Sequence, residues 1–118
     1  MNRKISSYGY YFDEFRKTLT DKELLKLKYS LDVLKTQEII PRKFFGFIRD
    51  GLFELKMEYG GNIYRVFFVF ENDNIVILFN GFQKKTQKTP PEQIKKALQI
   101  KKQYENERDN RTKIAVIP

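Results

Sequence analysis

The sequence predicts an α+β domain built as N-terminal helices, an antiparallel meander and a C-terminal helix. Three local patterns carry that reading: a capped, leucine-striped segment near the start, an aromatic-rich run of alternating residues in the middle, and a second capped segment after it. At 118 residues with 41% hydrophobic side chains, eleven Phe and seven Tyr, one core is enough and wholesale disorder is excluded. We expect one domain over residues 1–105 and a flexible tail over 106–118, where periodicity stops.

Residues Ile5 to Phe12 are aromatic and suit a strand, with a short helix over Asp13–Leu19 to follow. Thr20-Asp21-Lys22-Glu23 is a capping box, in which hydroxyl and carboxylate serve the orphan amides of a first turn. Leu24, Leu27, Leu31 and Leu34 then recur at spacings of three and four, placing them on one stripe of a helix that runs to about Gln37. Pro41 ends it, and residues 42–51 read as a Phe-rich connection closing on the turn signal Asp50-Gly51.

Leu52 to Glu58 alternates apolar and charged residues, Tyr59-Gly60-Gly61-Asn62 is a turn, and Ile63 to Phe70 is β-rich. A second turn at Glu71–Asn74 leads into Ile75–Phe79, completing three antiparallel strands. Thr89-Pro90-Pro91-Glu92 repeats the capping pattern, with Pro90 at the first helical position. Ile94, Ala97, Leu98, Lys101 and Tyr104 share the buried face of that helix.

Composition narrows the chemistry. The chain has no cysteine and no histidine, which removes disulfides, thiolate and imidazole metal sites, and every Ser-His or Cys-His nucleophile. No cofactor or metal is expected. Polar residues interrupt any signal-peptide core, and no apolar run is long enough to span a bilayer, so the expected location is the cytoplasm, away from membranes. Net charge is +8, and most of it sits in residues 83–104, which hold seven basic residues and one acidic. A basic stripe of that kind attracts polyanions, nucleic acid first among them, although a solvated lysine face gives the same count.

The strand register adds a site. A hairpin closed about Gly60-Gly61 sets Lys56 opposite Arg65, and one closed about Asn72-Asp73 sets Arg65 opposite Asn80. Lys56, Arg65 and Asn80 then share a face, with Phe53, Leu55, Met57, Tyr64, Val66, Phe68 and Phe70 on the other. Directly opposed like charges cost up to about 1 kcal/mol, so an anion is expected between them, either a ligand or the neighbouring Glu54 or Glu58. The strand exit adds Lys84, Lys85 and Lys88 around Phe82, which serves either as core or as an exposed ring for a base to stack on.

Gly51-Leu52-Phe53-Glu54-Leu55-Lys56, Asn62-Ile63-Tyr64-Arg65-Val66-Phe67 and Asn80-Gly81-Phe82-Gln83-Lys84-Lys85-Thr86-Gln87-Lys88-Thr89-Pro90 together resemble the RelE/ParE toxin superfamily, and within it the phage-derived HigB-like branch. The resemblance spans roughly residues 44–104. It implies a small RelE-like fold with helices packed on an antiparallel sheet, and a toxin of a type II toxin–antitoxin pair. RelE-like members cut mRNA in the ribosomal A site, contacting rRNA, and a helix-turn-helix, HigA-like antitoxin neutralises them. ParE-like members poison DNA gyrase instead, and a non-toxic nucleic-acid-binding module is the third reading.

By that resemblance Lys56 matches the basic residue of the first hairpin strand, Arg65 the arginine of a YR motif, and Lys84 and Lys85 the basic pair after the last strand. The chain differs from RelE itself at Glu54, where RelE has another lysine, and in lacking a tyrosine after Lys85. Metal-free RNA cleavage needs a base for the 2′-hydroxyl, a cation on the phosphorane and an acid for the leaving oxygen. Arg65 is the candidate clamp. Lys56 is a candidate base or second clamp, its pKa expected to fall beside Arg65 and Lys84. Lys84 or Lys85 is the candidate acid or else a grip on ribosomal RNA, and Glu54 is an alternative base. Phe82, Lys85, Lys88 and Asn80 are the candidate RNA contacts.

Overall fold

The computed structural model describes the backbone of residues 2–116 and the side chains of residues 2–110. The elements run β1 (Lys4–Ser7), α1 (Tyr11–Arg16), α2 (Asp21–Thr36), β2 (Phe45–Arg49), β3 (Leu52–Tyr59), β4 (Asn62–Asn72), β5 (Ile75–Lys84) and α3 (Pro91–Val116). They form an α+β fold around one five-stranded sheet of order β1-β5-β4-β3-β2.

The sheet is mixed rather than purely antiparallel, because β1 pairs in parallel with β5, from Lys4↔Ile75 to Ser7↔Leu78. Arg3 explains why the N-terminal strand stays there. Its guanidinium donates to the carbonyls of Leu34 and Gln37 at 2.8 and 2.6 Å, and to those of Glu38 and Asp73. It thereby satisfies the open C-terminal end of α2 and ties it to the β4–β5 turn. The expected connection over 42–51 also holds a strand, β2. Asp50 and Gly51 both have positive φ (53° and 77°), the geometry of a tight primed hairpin turn, so the residues before them must pair with β3. Phe45 and Phe47 lock that pairing by packing on Phe53, with ring centroids 5.8 and 5.3 Å apart.

Helices cover both faces of the sheet. On one side α1 and α2 bury Phe15, Leu27 and Leu34 against Leu55, Met57, Val66, Phe68, Val76 and Leu78. On the other, Ala97, Ile100 and Tyr104 of α3 pack on Leu52, Phe67, Val69, Phe79 and Phe82. The central strand β4 is accordingly buried without a break from Tyr64 to Val69, the pattern of a strand covered twice.

The Thr20–Glu23 capping box forms as expected, and Glu23 also accepts a hydrogen bond from the Tyr64 hydroxyl, joining α2 to the sheet. Helix α1 starts at Tyr11, ahead of the expected Asp13, so that Phe15 reaches β5. Helix α3 starts at Pro91 rather than Pro90, and it continues well past Tyr104. Lys101 and Glu105, one turn apart and paired at 3.1 Å, carry it across the point where apolar periodicity ends. Residues 117–118 of the expected tail lie outside the described residues. Among the described residues no helix is long and apolar enough to cross a membrane.

Candidate functional site

Gly60 and Gly61 (φ 60° and 81°) close the β3–β4 hairpin in the register read from sequence, setting Lys56 directly opposite Arg65. The second hairpin departs from it. Val66 pairs with Gly81 and Phe68 with Leu78, leaving both Phe79 and Asn80 opposite the single residue Phe67. The turn closes about Asp73-Asn74, with Asn72 paired to Ile75, and an irregularity at Phe70–Asn72 offsets this β-bulge, so Arg65 faces Phe82 and not Asn80. Next to the bulge, Gly81 leaves room for the Phe15 ring of α1, which would lie 2.6 Å from a β-carbon there.

Arg65 is buried, and its Nε lies 2.8 Å from Glu54 Oε1, with both side chains about 10% exposed. Its Nη1 also donates to the Tyr64 carbonyl at 3.0 Å. The anion expected between the opposed cations is therefore Glu54, one of the two alternatives open in the sequence. Thr89, expected to cap α3, directs its hydroxyl at the same carboxylate at 3.4 Å. Lys56 extends beside Gly46, where a β-carbon would meet its Nζ at 3.5 Å, so that glycine leaves the amine its path.

Lys84 completes the cluster. Burial lowers its pKa, the Arg65 charge lowers it further, Lys56 adds to the effect, and Glu54 opposes it. The end of β5 holds the Lys84 amine partly out of solvent beside Arg65. Four groups from three strands thus act on one another: Glu54 and Lys56 of β3, Arg65 of β4 and Lys84 of β5.

A cleft of about 830 Å³ opens beside Arg65 and Lys84, walled also by Gln83, Lys85, Gln87 and Glu58. Lys85 is exposed on the wall of this cleft. Lys88 is exposed farther along the loop, its carbonyl accepting from the Thr86 hydroxyl at 2.7 Å. Phe82 is not an exposed platform: its ring is buried and stacked on Phe67 with centroids 5.6 Å apart. Asn80 is 2% exposed within the bulge, and its amide has no hydrogen-bond partner among the described residues. The arrangement offers an anionic ligand one rigid guanidinium, two ammonium groups and a carboxylate. Among the described residues no cluster of three or more Asp or Glu is placed to hold a metal.

Residues 13–102 match the family described as Phage derived protein Gp49-like (DUF891). The chain belongs to this phage-derived Gp49-like family. The matched stretch contains Glu54, Lys56, Arg65 and Lys84, so the whole cluster lies inside the Gp49-like region. No curated protein sequence matches the chain. Among solved structures, the crystal structure of an archaeal RelE-RelB complex from Pyrococcus horikoshii OT3 aligns over 69% of this chain and 93% of that one, with 15% identity and a TM-score of 0.49.

Proposed function

We propose that this Gp49-like protein is the toxin of a type II toxin–antitoxin pair, a cytoplasmic endoribonuclease that cuts mRNA in the ribosomal A site and is held in check by a helix-turn-helix antitoxin. The observation that carries this reading is that Arg65, directly opposite Lys56 and charge-coupled to Lys84, walls an open cleft together with Lys84 and Lys85. Membership of a phage-derived family, the RelE/ParE-like strand motifs and the +8 charge support it.

In this proposal the neutral Lys84 amine takes the proton from the 2′-hydroxyl. The 2′-oxygen forms a bond to phosphorus as the bond to the 5′-oxygen breaks, leaving a 2′,3′-cyclic phosphate. Arg65, preorganised by Glu54, stabilises the extra phosphorane charge, and Lys56 delivers a proton to the departing 5′-oxygen.

The test is induction of wild-type and Lys84→Gln proteins in bacteria, with reporter-mRNA 5′ ends mapped by primer extension. Cuts inside translated frames that require translation and vanish in the variant are expected. Growth arrest without new ends would replace this reading with gyrase poisoning, and absence of arrest would replace it with a binding module.

A further inference from the structure

Beside Phe44, the residue before β2, a second cleft of about 440 Å³ opens between α2 and β3. Lys26 and Ser30 of α2, Lys43 ahead of β2, Lys56 and Arg65 line it, with Glu58 as the single opposing charge. Lys26 and Ser30 are one helical turn apart and so share a face.

Arg65 is tied to Glu54, but Lys26, Lys43 and Lys56 have no ion-pair partner among the described residues. Lys26 and Lys43 instead lie over aromatic rings, their Nζ atoms 5.3 Å from the Tyr29 centroid and 5.5 Å from that of Phe44. Ser30 is 1% exposed, and its hydroxyl has no hydrogen-bond partner among the described residues. A buried hydroxyl ordinarily finds one, so this wall of the cleft is chemically incomplete. Ammonium groups and a hydroxyl are donors suited to phosphodiester oxygens, and the volume suits one nucleotide rather than a helix or strand.

We infer that the Lys26, Lys43 and Ser30 end of the α2–β3 cleft is a phosphate subsite, holding the phosphodiester next along a single RNA strand from the one cut beside Arg65 and Lys56. Arg65 walls both clefts, so the strand passes across it from Lys84 toward α2. The ligand class rests on the RNA-cleaving function proposed above; the anion site itself rests on Lys26, Lys43 and Ser30.

The test is fluorescence anisotropy of the full chain with a 2′-O-methyl heptanucleotide, which the missing 2′-hydroxyl makes uncleavable, between about 50 and about 200 mM salt. The Lys26→Gln/Lys43→Gln double variant is expected to bind about tenfold more weakly at the lower salt. Its slope of log affinity against log salt should be shallower by about 0.7, the value for one phosphate of a single strand. Wild-type affinity and slope in that variant, confirmed as folded by circular dichroism, would overturn the subsite. The two proposals separate cleanly. Lysine-dependent binding by a wild-type protein that cuts no mRNA keeps the subsite and removes the nuclease, whereas cutting with an unchanged slope does the reverse.

Discussion

Glu54 and Arg65 form a buried diagonal ion pair across β3 and β4, 2.8 Å apart, beside the directly opposed Lys56 and Arg65. Arg65 is therefore both a candidate phosphate ligand and a structural cation. Removing one partner of such a pair leaves the other charge buried and uncompensated, which costs about 3–5 kcal/mol. Arg65→Ala is expected to lose that much in urea unfolding, and Glu54→Gln/Arg65→Met to recover most of it. A double-variant loss equal to the sum of the Glu54→Gln and Arg65→Met losses would show that the two residues are not coupled.

Lys84 carries a pH prediction. Its folded-state pKa is below 10.5, so between that value and 10.5 the unfolded chain holds more protons than the folded one. Stability attributable to Lys84 therefore rises with pH through that window, and the penalty is complete below it. Lys84→Gln is expected to be more stable than wild type near neutrality, with the gain shrinking as pH climbs. If Lys84 is the base, cleavage should rise with pH toward the lowered pKa, and Lys84→Arg should lose both that rise and about 10²–10⁴ in rate. A pH profile unchanged in Lys84→Arg would assign the base elsewhere.

Gly81→Ala places a methyl group into the Phe15 ring, 2.6 Å from its nearest atoms. Overpacking of this kind costs about 1–3 kcal/mol. The loss should be partly relieved in Gly81→Ala/Phe15→Leu, since the clash is with the ring; strict additivity in thermal or urea unfolding would contradict the packing described.

Glu23 accepts from the Thr20 backbone amide and the Tyr64 hydroxyl, and these bonds hold its carboxyl below the usual range. Its contribution is present above pH about 4.5 and is lost as pH falls through the lowered folded-state value. Glu23→Gln should be destabilised near neutrality and converge on wild type in acid. A constant difference across that range would mean that packing, not the charge, is what the substitution removes. Thr20→Ala, which removes the other half of the box, is expected to cost about 1 kcal/mol.

The features legible in the sequence are those fixed by near neighbours. Thr20 with Glu23, and Tyr59-Gly60-Gly61-Asn62 with its Lys56–Arg65 pair, each depend on residues a few positions apart. Asp50-Gly51 was equally local, but the all-apolar Phe44-Phe45 ahead of it hid the alternation that marks a strand. The approach of Phe15 of α1 to Gly81, beside the bulge, and the parallel position of β1, with Arg3 reaching the end of α2, join residues far apart in the chain. No local pattern records such contacts. The second cleft was hidden for the same reason, since Lys26, Lys43 and Lys56 belong to separate elements.

The position of β1 also sets the order in which this sheet can be built. Every other strand pairs with its neighbour along the chain through a short turn, while Lys4 must find Ile75. Loop closure over that separation is slow compared with hairpin formation. The β2–β5 meander is therefore expected to assemble first, with the outer hydrogen-bonding edge of β5 open until the N-terminal strand docks. In that interval the same edge is a template for any extended segment, so the four residues of β1 act as a guard against strand-to-strand association during folding.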